Sequence, residues 1–290
     1  MLRETDRSSC VDLPRRPAVK HRSVPSRRST ADVLDQEVHV WLVFEERWSG
    51  AIDRDGFVLS ADEMATANAF PNEALRTRYR IAHCALRKVL SSYDDTPPQA
   101  WVFRRGRWGR PELMDGDTGL RFSVSYGDGM TAIAVACDAE VGVDIVSTRR
   151  NVDVFGIAEH AFAPSELADL RSIESGAARQ RFFDYWALKE AYAKALGTGF
   201  WKNPRDFAFS FPAHGEIGFR DRVRRRKTKW QFLLALAPLD HRLAVGARTR
   251  RPRRIVAKVA ASGEPCRLTV TRQYARDLAI LCQKSIPDQE

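Results

Sequence analysis

Two acidic residues and two lysines form a pattern that suits phosphoryl chemistry with a divalent cation. Asp144 lies in the alternating apolar run at 141–146, and Glu190 follows 46 positions later in a segment with helical periodicity. Proteins usually bind Mg²⁺ through one or two carboxylates, and waters and substrate phosphates supply its remaining oxygen ligands. Lys189 and Lys194 are cations that could neutralise those phosphate oxygens.

A simpler interpretation of the helical segment is a surface ion pair. Glu190 and Lys194 are four residues apart, so they lie on one helix face, and such pairs contribute little to stability. Trp186 belongs to the same column and is expected to pack the helix into the core. The presence of Asp144 elsewhere in the chain favours a site over a surface pair.

Three arginines could supply further phosphate contacts. Arg78 and Arg87 lie on a predicted basic amphipathic helix, and Arg110 lies in the turn-rich stretch 106–113. A guanidinium recognises phosphate through forked hydrogen bonds. For Arg78 and Arg87, a solvated helix face explains the pattern equally well.

The elements that must position these residues follow from hydrophobic periodicity and turn chemistry. A capping box at Ser60 and Glu63 begins a helix toward Phe70, and Gly197 is a suitable helix terminator. In the strand at 141–146, the residues Gly142, Asp144 and Val146 share one face. Helices are predicted at 72–93, 155–163, 164–173, 182–199 and 271–283, a strand at 37–46, a short strand at 100–104, a three-stranded meander at 120–146, and strands of a second sheet at 207–211, 216–219, 229–237 and 242–247. This order predicts an α+β fold with two similar halves.

The net charge of +10 is concentrated in two segments. Residues 1–30 carry eight bases and three acids, and residues 248–258 carry six bases and no acid. We expect residues 1–36 to be a disordered basic arm and residues 248–290 to be a basic C-terminal extension. Such arms could also bind nucleic acid. We do not favour this hypothesis, because no recognition motif accompanies the charge.

Composition points to a cytoplasmic protein without a membrane anchor. The longest strongly apolar run, at 230–239, is about half the length of a bilayer span. The five cysteines are odd in number and show no metal-binding spacing, which fits a reducing compartment.

The sequence resembles a known enzyme family in two motifs and their spacing. VGVDIV at 141–146 and WALKEAYAKALGTG at 186–199 are similar to the paired signature of the 4′-phosphopantetheinyl transferases, in particular the longer Sfp-type members. That signature is G-x-D followed some forty residues later by W-x-x-K-E-x-x-x-K. Further matches are the GRP at 109–111, SVSYGDG at 123–129 and AFAPSEL at 161–167. The resemblance covers residues 38–247.

This resemblance implies a pseudo-dimeric fold. Residues 37–133 and 134–247 would each form a small antiparallel sheet packed with a long helix, with the active site at the interface of the two halves. The implied reaction is transfer of 4′-phosphopantetheine from coenzyme A to a serine of an acyl or peptidyl carrier protein, which releases 3′,5′-ADP. We expect a Mg²⁺-dependent monomer. The alternative is a homologue that binds coenzyme A or the carrier but has weakened catalysis.

The resemblance also assigns roles to individual residues. Asp144 and Glu190 would be metal ligands, and Glu190 would deprotonate the serine with Lys194 as a second catalytic residue. The residues expected to bind coenzyme A are Arg78, Arg87, Arg110, Ser125, Tyr126, Lys189 and Lys194.

Two positions depart from the family pattern. Val146 stands where many relatives have a second acid on the strand, so that water must complete the metal shell. Tyr126 stands where the family has a histidine that helps to bind coenzyme A. A phenol can donate a hydrogen bond to phosphate but brings no positive charge. His83 and His160 are isolated in the sequence, and we assign them no role.

Overall fold

The computed structural model describes residues 33–48, 58–114, 118–197, 203–212, 215–221, 230–260 and 269–274. The principal helices are α1 (Ala61–Asn68), α2 (Glu73–Leu90), α3 (Val154–Ala161), α4 (Pro164–Arg171) and α5 (Ser175–Leu196). The strands are β1 (Glu37–Phe44), β2 (Phe103–Arg105), β3 (Pro111–Leu113), β4 (Leu120–Tyr126), β5 (Met130–Cys137), β6 (Glu140–Ser147), β7 (Phe207–Ser210), β8 (Gly218–Asp221), β9 (Trp230–Ala237), β10 (His241–Arg248), β11 (Arg254–Val259) and β12 (Thr269–Tyr274). The mixed α+β class expected from the sequence is therefore present.

Two four-stranded sheets form the centre of the molecule. The first has the strand order β11-β1-β5-β4, and the second has the order β12-β9-β10-β6. All pairs in the second sheet are antiparallel, whereas β11 runs parallel to β1 at the edge of the first. Two short pairs, β2–β3 and β7–β8, lie outside these sheets.

The two sheets pack face to face through one shared apolar core. Val40 of β1 and Val143 of β6 belong to it, together with the small residues Ala132, Ala134 and Ala136 of β5. The alanines leave room for the larger residues of the facing sheet. Successive residues of a strand point to opposite faces. The apolar residues between those of the shared core therefore lie on the outer face of each sheet.

A long helix covers the outer face of each sheet. Helix α2 packs on the first sheet through a second cluster that contains Ile81 of the helix and Ile133 of β5. Helix α5 packs on the second sheet through a third cluster that contains Leu188 of the helix and Phe232 of β9. The order of layers is therefore helix, sheet, sheet, helix.

The predicted meander at 120–146 is wrong in one respect. Strands β4 and β5 pair as expected, but β6 leaves them and pairs with β10 in the second sheet. All three strands have the same alternation of apolar residues, so periodicity alone could not show this. Pairing with β10 is what brings Asp144 onto the sheet that α5 covers.

The segment expected to be a separate extension after residue 247 is partly built into both sheets. Strand β11 completes the first sheet and β12 lies at the edge of the second. Residues Thr269–Tyr274 are a strand, so the helix predicted at 271–283 is wrong over its first four residues; its remainder lies outside the described residues. Arg254 pairs with Glu37, and Lys258 lies over the ring of Trp41 at 5.2 Å.

Several other predictions are confirmed in place and type. Ser60 caps α1 through the predicted capping box, and α5 ends at Gly197, which adopts a left-handed conformation at φ 67°. The proposed arm at 1–36 lies almost wholly outside the described residues. Among the helices that the structure describes, none is long and apolar enough to cross a bilayer.

Candidate active site

Close contact between α5 and β6 sets the geometry of the site. A Cβ atom on Gly142 would lie 2.0 Å from the carbonyl oxygen of Ala191 and 2.4 Å from the backbone nitrogen of Ala195. Only glycine permits this approach of two backbones. The glycine that shares a strand face with Asp144 is thus what lets the helix lie directly over that residue.

Asp144 is held in place from two sides. Its Oδ1 atom accepts hydrogen bonds from the hydroxyl of Ser125 at 2.8 Å and from Nζ of Lys194 at 2.7 Å. Lys194 also donates to Ser125 Oγ at 2.7 Å, and that oxygen accepts from the backbone N–H of Ile145 at 3.2 Å. These bonds hold the carboxylate of Asp144 against Lys194 of α5.

The second oxygen of Asp144 is buried and has no hydrogen-bond partner among the described residues. A buried carboxylate oxygen that lacks a partner is costly, because it loses its hydration without compensation. Such an oxygen is available to coordinate a cation.

Glu190 is the second carboxyl group of the site. Burial and, to a smaller extent, the nearby charge of Asp144 raise its pKa to about 7, although Lys194 acts in the opposite direction. Two carboxylates that repel each other near a single lysine form an environment that a divalent cation would stabilise. The residues present therefore fit the Mg²⁺ expected from the sequence.

The structure describes no third acidic ligand. Within the described ranges, no group of three or more metal-binding side chains is found. Val146 is 6% exposed and packs into the cluster beneath α5. A cation at Asp144 and Glu190 would thus have two protein ligands, with water and substrate oxygens to complete its shell.

A cleft of about 290 Å³ opens beside Lys194. Trp108, Pro111, Tyr126 and Gly197 line it with Lys194, so the β2–β3 connection forms one wall and the end of α5 forms another. A second cavity of about 340 Å³ shares Trp108, Arg110 and Gly197 with this cleft. Since Lys194 bonds to Asp144 and lines the first cleft, the two cavities offer space for a large ligand near the two acids.

Arg87 does not reach this cleft, contrary to the prediction that it binds coenzyme A. Its side chain is 1% exposed and pairs with Glu63 at 2.7 Å. It also donates to the carbonyl oxygens of Pro98 and Trp101 at 2.9 Å each. The guanidinium is therefore used to hold α1, α2 and the following loop together.

Arg110 also serves the fold. It donates to the carbonyl oxygens of Ala195, Phe122 and Val141 at 2.8–3.0 Å, and burial lowers its pKa. By bonding to the end of α5, it ties the helix that carries Glu190 to β4 and β6. It lines the cleft, but these contacts leave its forked face directed at backbone oxygens.

Lys189 is buried on the opposite side of α5 from the cleft residues. Its Nζ atom pairs with Glu166 at 2.7 Å and donates to the carbonyl oxygens of Pro204 and Phe207. Burial lowers the pKa of Lys189 and raises that of Glu166, while their mutual attraction opposes both shifts. The prediction that Lys189 contacts coenzyme A is wrong, because this pair holds α5 to the β7 region.

The other predicted residues lie at or near the cleft. Ser125 is 3% exposed, so its hydroxyl positions Asp144 instead of contacting a ligand. Tyr126 is 43% exposed on the cleft wall. Arg78 pairs with Glu45 at 2.7 Å and approaches Asp128 at 3.4 Å, and it keeps partial exposure beside the turn after β4.

His83 is a residue that the sequence did not single out. Its Nε2 atom lies 3.1 Å from the hydroxyl of Tyr126, and its Nδ1 atom lies 2.8 Å from Glu63. These partners are 43 and 20 positions away in the chain. Because His83 looks isolated in the sequence, only the packing of α2 against β4 reveals the contact.

Comparison with known proteins agrees with the motifs. A model of the 4′-phosphopantetheinyl transferase superfamily matches residues 140–246, which include β6 and α5. The 4′-phosphopantetheinyl transferase HetI of Nostoc sp. is 32% identical over 169 residues, which are 58% of this chain and 71% of that protein.

Two relatives from other organisms are more distant. A phosphopantetheinyl transferase of Thraustochytrium sp. is 25% identical over 64% of this chain and 69% of its own length. The L-aminoadipate-semialdehyde dehydrogenase-phosphopantetheinyl transferase of Xenopus laevis is 30% identical over 46% of this chain and 48% of its own length. Because the match to the Nostoc protein covers most of that protein's length, and the family model matches residues 140–246, the chain belongs to the 4′-phosphopantetheinyl transferase superfamily.

Proposed function

We propose that this protein transfers 4′-phosphopantetheine from coenzyme A to a serine of an apo acyl or peptidyl carrier protein, giving the holo carrier and 3′,5′-ADP. The observation that carries the proposal is the pair of neighbouring carboxyl groups Asp144 and Glu190, with Lys194 bonded to Asp144 at the edge of a cleft. Family membership supports the same reaction.

Asp144 and Glu190 are the proposed ligands of Mg²⁺. The support is the unpartnered Oδ2 of Asp144 and the mutual repulsion of the two carboxylates. When bound, the cation would act as a Lewis acid on the pyrophosphate of coenzyme A.

Glu190 is the proposed general base. It takes the proton of the carrier serine while the serine oxygen attacks the β-phosphorus of coenzyme A. The bond between that phosphorus and the bridging oxygen breaks, and 3′,5′-ADP leaves with the bridging oxygen. A general base must be unprotonated when it acts, and the proposed cation would favour the carboxylate form of Glu190.

Lys194 is proposed to hold substrate phosphate as well as Asp144. Two of its three N–H donors go to Asp144 and Ser125. The third is left for a phosphate oxygen in the cleft that Lys194 lines. Tyr126 and Arg78 are the remaining proposed contacts of coenzyme A, since they lie at or near the same cleft with partial exposure.

The fold is proposed to consist of two similar halves, each with a sheet and a covering helix. The expected boundary at 133/134 falls inside β5, so we place it in the turn at 138–139. The interface of the halves would then pass through the site, because Ser125 belongs to one half and Asp144 to the other. We further propose a monomer that works in the cytoplasm.

Mass spectrometry tests the proposed reaction. Incubation with coenzyme A, Mg²⁺ and apo carrier proteins from fatty-acid, polyketide and peptide synthesis should add the mass of phosphopantetheine to at least one carrier. A catalytically weakened homologue would bind coenzyme A but leave every carrier unmodified. That result with folded protein would contradict the proposal.

Thermal unfolding tests the metal site without an activity assay. We expect Mg²⁺ to raise the Tm of the wild type above that in NaCl of equal ionic strength, because a ligand of the folded state stabilises it. The Asp144→Asn variant should lose this increment, since it removes one of only two protein ligands. Equal shifts for the wild type and the variant would argue against the site.

A further inference from the structure

The turn between β9 and β10 combines two features that lower stability. Residues 238–240 connect Ala237 to His241, which face each other across the two strands. Within this turn Leu239 has φ 59°, and it is 51% exposed. One exposed leucine is ordinary, because apolar residues are common on protein surfaces. A leucine in the left-handed region is rare, because its Cβ atom then comes too close to a carbonyl oxygen.

Comparison with the other left-handed residues shows that Leu239 is the unusual one. Among the residues that the structure describes, the others besides glycine with positive φ are Asp138 and Asp240, at 46° and 54°. Aspartate tolerates this conformation, because its short polar side chain can form hydrogen bonds locally. Glycine at position 239 would avoid the strain altogether. Backbone strain that persists at an exposed apolar side chain suggests that the side chain has a use.

Contacts on two sides hold the strained turn in place. The backbone N–H and the hydroxyl of Thr148 both donate to the carbonyl oxygen of Asp240, at 2.9 Å each. On the other side, Nε2 of the buried His241 accepts from the backbone N–H of Asp128 at 3.2 Å. The side chain of Leu239 therefore projects from a base that is fixed to both neighbouring chain segments.

The turn lies close to the proposed catalytic acids. A Cβ atom on Gly129 would lie 3.5 Å from Cδ1 of Leu239, so the leucine lies over the turn between β4 and β5. His241 faces Ser147, the last residue of β6. Ser147 follows Asp144 by three positions, which is about 10 Å along a strand. The turn is thus just beyond the end of the strand that carries Asp144.

The direction of the proposed reaction places the carrier on this side. The attacking and leaving oxygens of a phosphoryl transfer lie roughly in line, so they approach and leave on opposite sides of the phosphorus. The cleft beside Lys194 reaches Gly197 and Arg110, and Arg110 bonds to the carbonyl oxygen of Val141 near the start of β6. A leaving group in that part of the cleft would put the carrier serine on the side of the Leu239 turn.

We infer that Leu239 is an apolar anchor for the carrier protein, which covers it with an apolar patch beside the accepting serine. This inference rests on the proposed function. A specific interface covers about 800 Å² of each partner, which is roughly 30 Å across, so an interface centred on the acids would include this turn. Arg149 pairs with Asp240 at 2.6 Å and is exposed, so it would belong to the polar rim around the anchor.

Steady-state kinetics with a carrier that the wild type modifies test the anchor. Leu239→Gly removes the apolar side chain and relieves the strain. The KM for the carrier should rise by about tenfold, as for the truncation of an interface anchor. The kcat and the KM for coenzyme A should stay unchanged, because Leu239 does not touch the reacting atoms. The Tm should not fall, so weaker use of the carrier would not result from misfolding.

Two further substitutions separate the apolar contact from the strain. Leu239→Asn is polar but tolerates the left-handed conformation, so its KM for the carrier should match that of Leu239→Gly. Leu239→Met keeps an apolar side chain of similar size together with the strain. Its KM for the carrier should stay near the wild-type value, which a role of the strained backbone alone would not explain.

Asp138→Gly is the matched control. Asp138 is also exposed and has positive φ, but it lies in the turn between β5 and β6, at the opposite end of β6 from Leu239. Substitution by glycine relaxes the backbone there in the same way. The KM for the carrier should therefore equal that of the wild type.

A wild-type KM for the carrier in Leu239→Gly and Leu239→Asn would overturn the anchor and leave the proposed reaction intact. An equal rise in Asp138→Gly, or an equal rise in the KM for coenzyme A, would also overturn it, because the effect would then not be specific to the carrier. If Leu239→Gly does not fold, Leu239→Asn decides. A folded wild type that modifies no carrier would refute the proposed reaction and the anchor together.

Discussion

Replacing Glu190 by glutamine is expected to lower kcat for carrier modification by about 10²- to 10⁴-fold, the usual contribution of a general base. Glutamine keeps the size of the side chain but cannot accept the serine proton as a carboxylate does. Because Glu190 is partly buried near the like charge of Asp144, removing its charge should not destabilise the metal-free protein. Loss of transfer with an unchanged or higher Tm would separate catalysis from folding.

Glu159→Gln is the matched control for this substitution. Glu159 lies on α3, is about half exposed and pairs only with Arg171 in the described structure. Exposed pairs of this kind contribute about 0–1 kcal/mol, so both activity and stability should stay near those of the wild type. If Glu190→Gln retained wild-type kcat in single-turnover measurements, the assignment of Glu190 as the base would be abandoned.

The second large effect is expected from Gly142→Ala. The added methyl group would lie 2.0 Å from Ala191 O and 2.4 Å from Ala195 N, and these backbone atoms cannot move aside by a change of rotamer. Helix α5 must then move away from β6. We expect a loss of about 3 kcal/mol or more in the free energy of unfolding, at the upper end of overpacking effects.

The same movement should impair the reaction, because α5 carries Glu190 and Lys194 whereas β6 carries Asp144. A misplacement of about 1 Å can cost about 10²-fold in rate, so activity should fall even at a temperature where the variant is folded. Urea denaturation and initial rates measure the two effects separately.

Gly176→Ala is the control on the same helix. Apart from the adjacent residues and the backbone of α5 itself, no atom of the described structure lies within 4 Å of a Cβ built at Gly176. Since alanine favours helix over glycine, this variant should be as stable as the wild type or more so. Similar behaviour of the two variants would mean that the contact at Gly142 is unimportant.

Local chemistry explains which elements were predictable. The capping box at Ser60 and Glu63 and the left-handed glycine at Gly197 act within a few residues, so their roles are written in neighbouring sequence. Alternation in 141–146 also indicates correctly that Val143 faces one side and Asp144 the other. Alternation does not show which strand is the hydrogen-bonded neighbour. In the structure, β6 pairs with β10 instead of continuing the meander.

The charged residues show the same division. Lys194, expected from the sequence to bind coenzyme A, pairs with Asp144 at the cleft, whereas Lys189 of the same motif is buried against Glu166. Arg87 and Arg110 were expected to contact phosphate. Arg87 instead binds the carboxylate of Glu63, and Arg110 binds backbone carbonyl oxygens. A buried cationic side chain pairs with the buried acceptor oxygens beside it. Those oxygens belong to chain segments far away in sequence, so sequence patterns do not reveal them.

By itself, the sequence determined the family, the acid pair and the lysine beside it, because these depend on residue types at fixed spacings. Only the tertiary structure decided which other bases serve the fold and which face the cleft. It also placed His83 behind Tyr126, although neither spacing nor periodicity relates these residues. The physical reason is that the sequence specifies side-chain chemistry, whereas the packing of α2 and α5 on the two sheets specifies which groups lose water together.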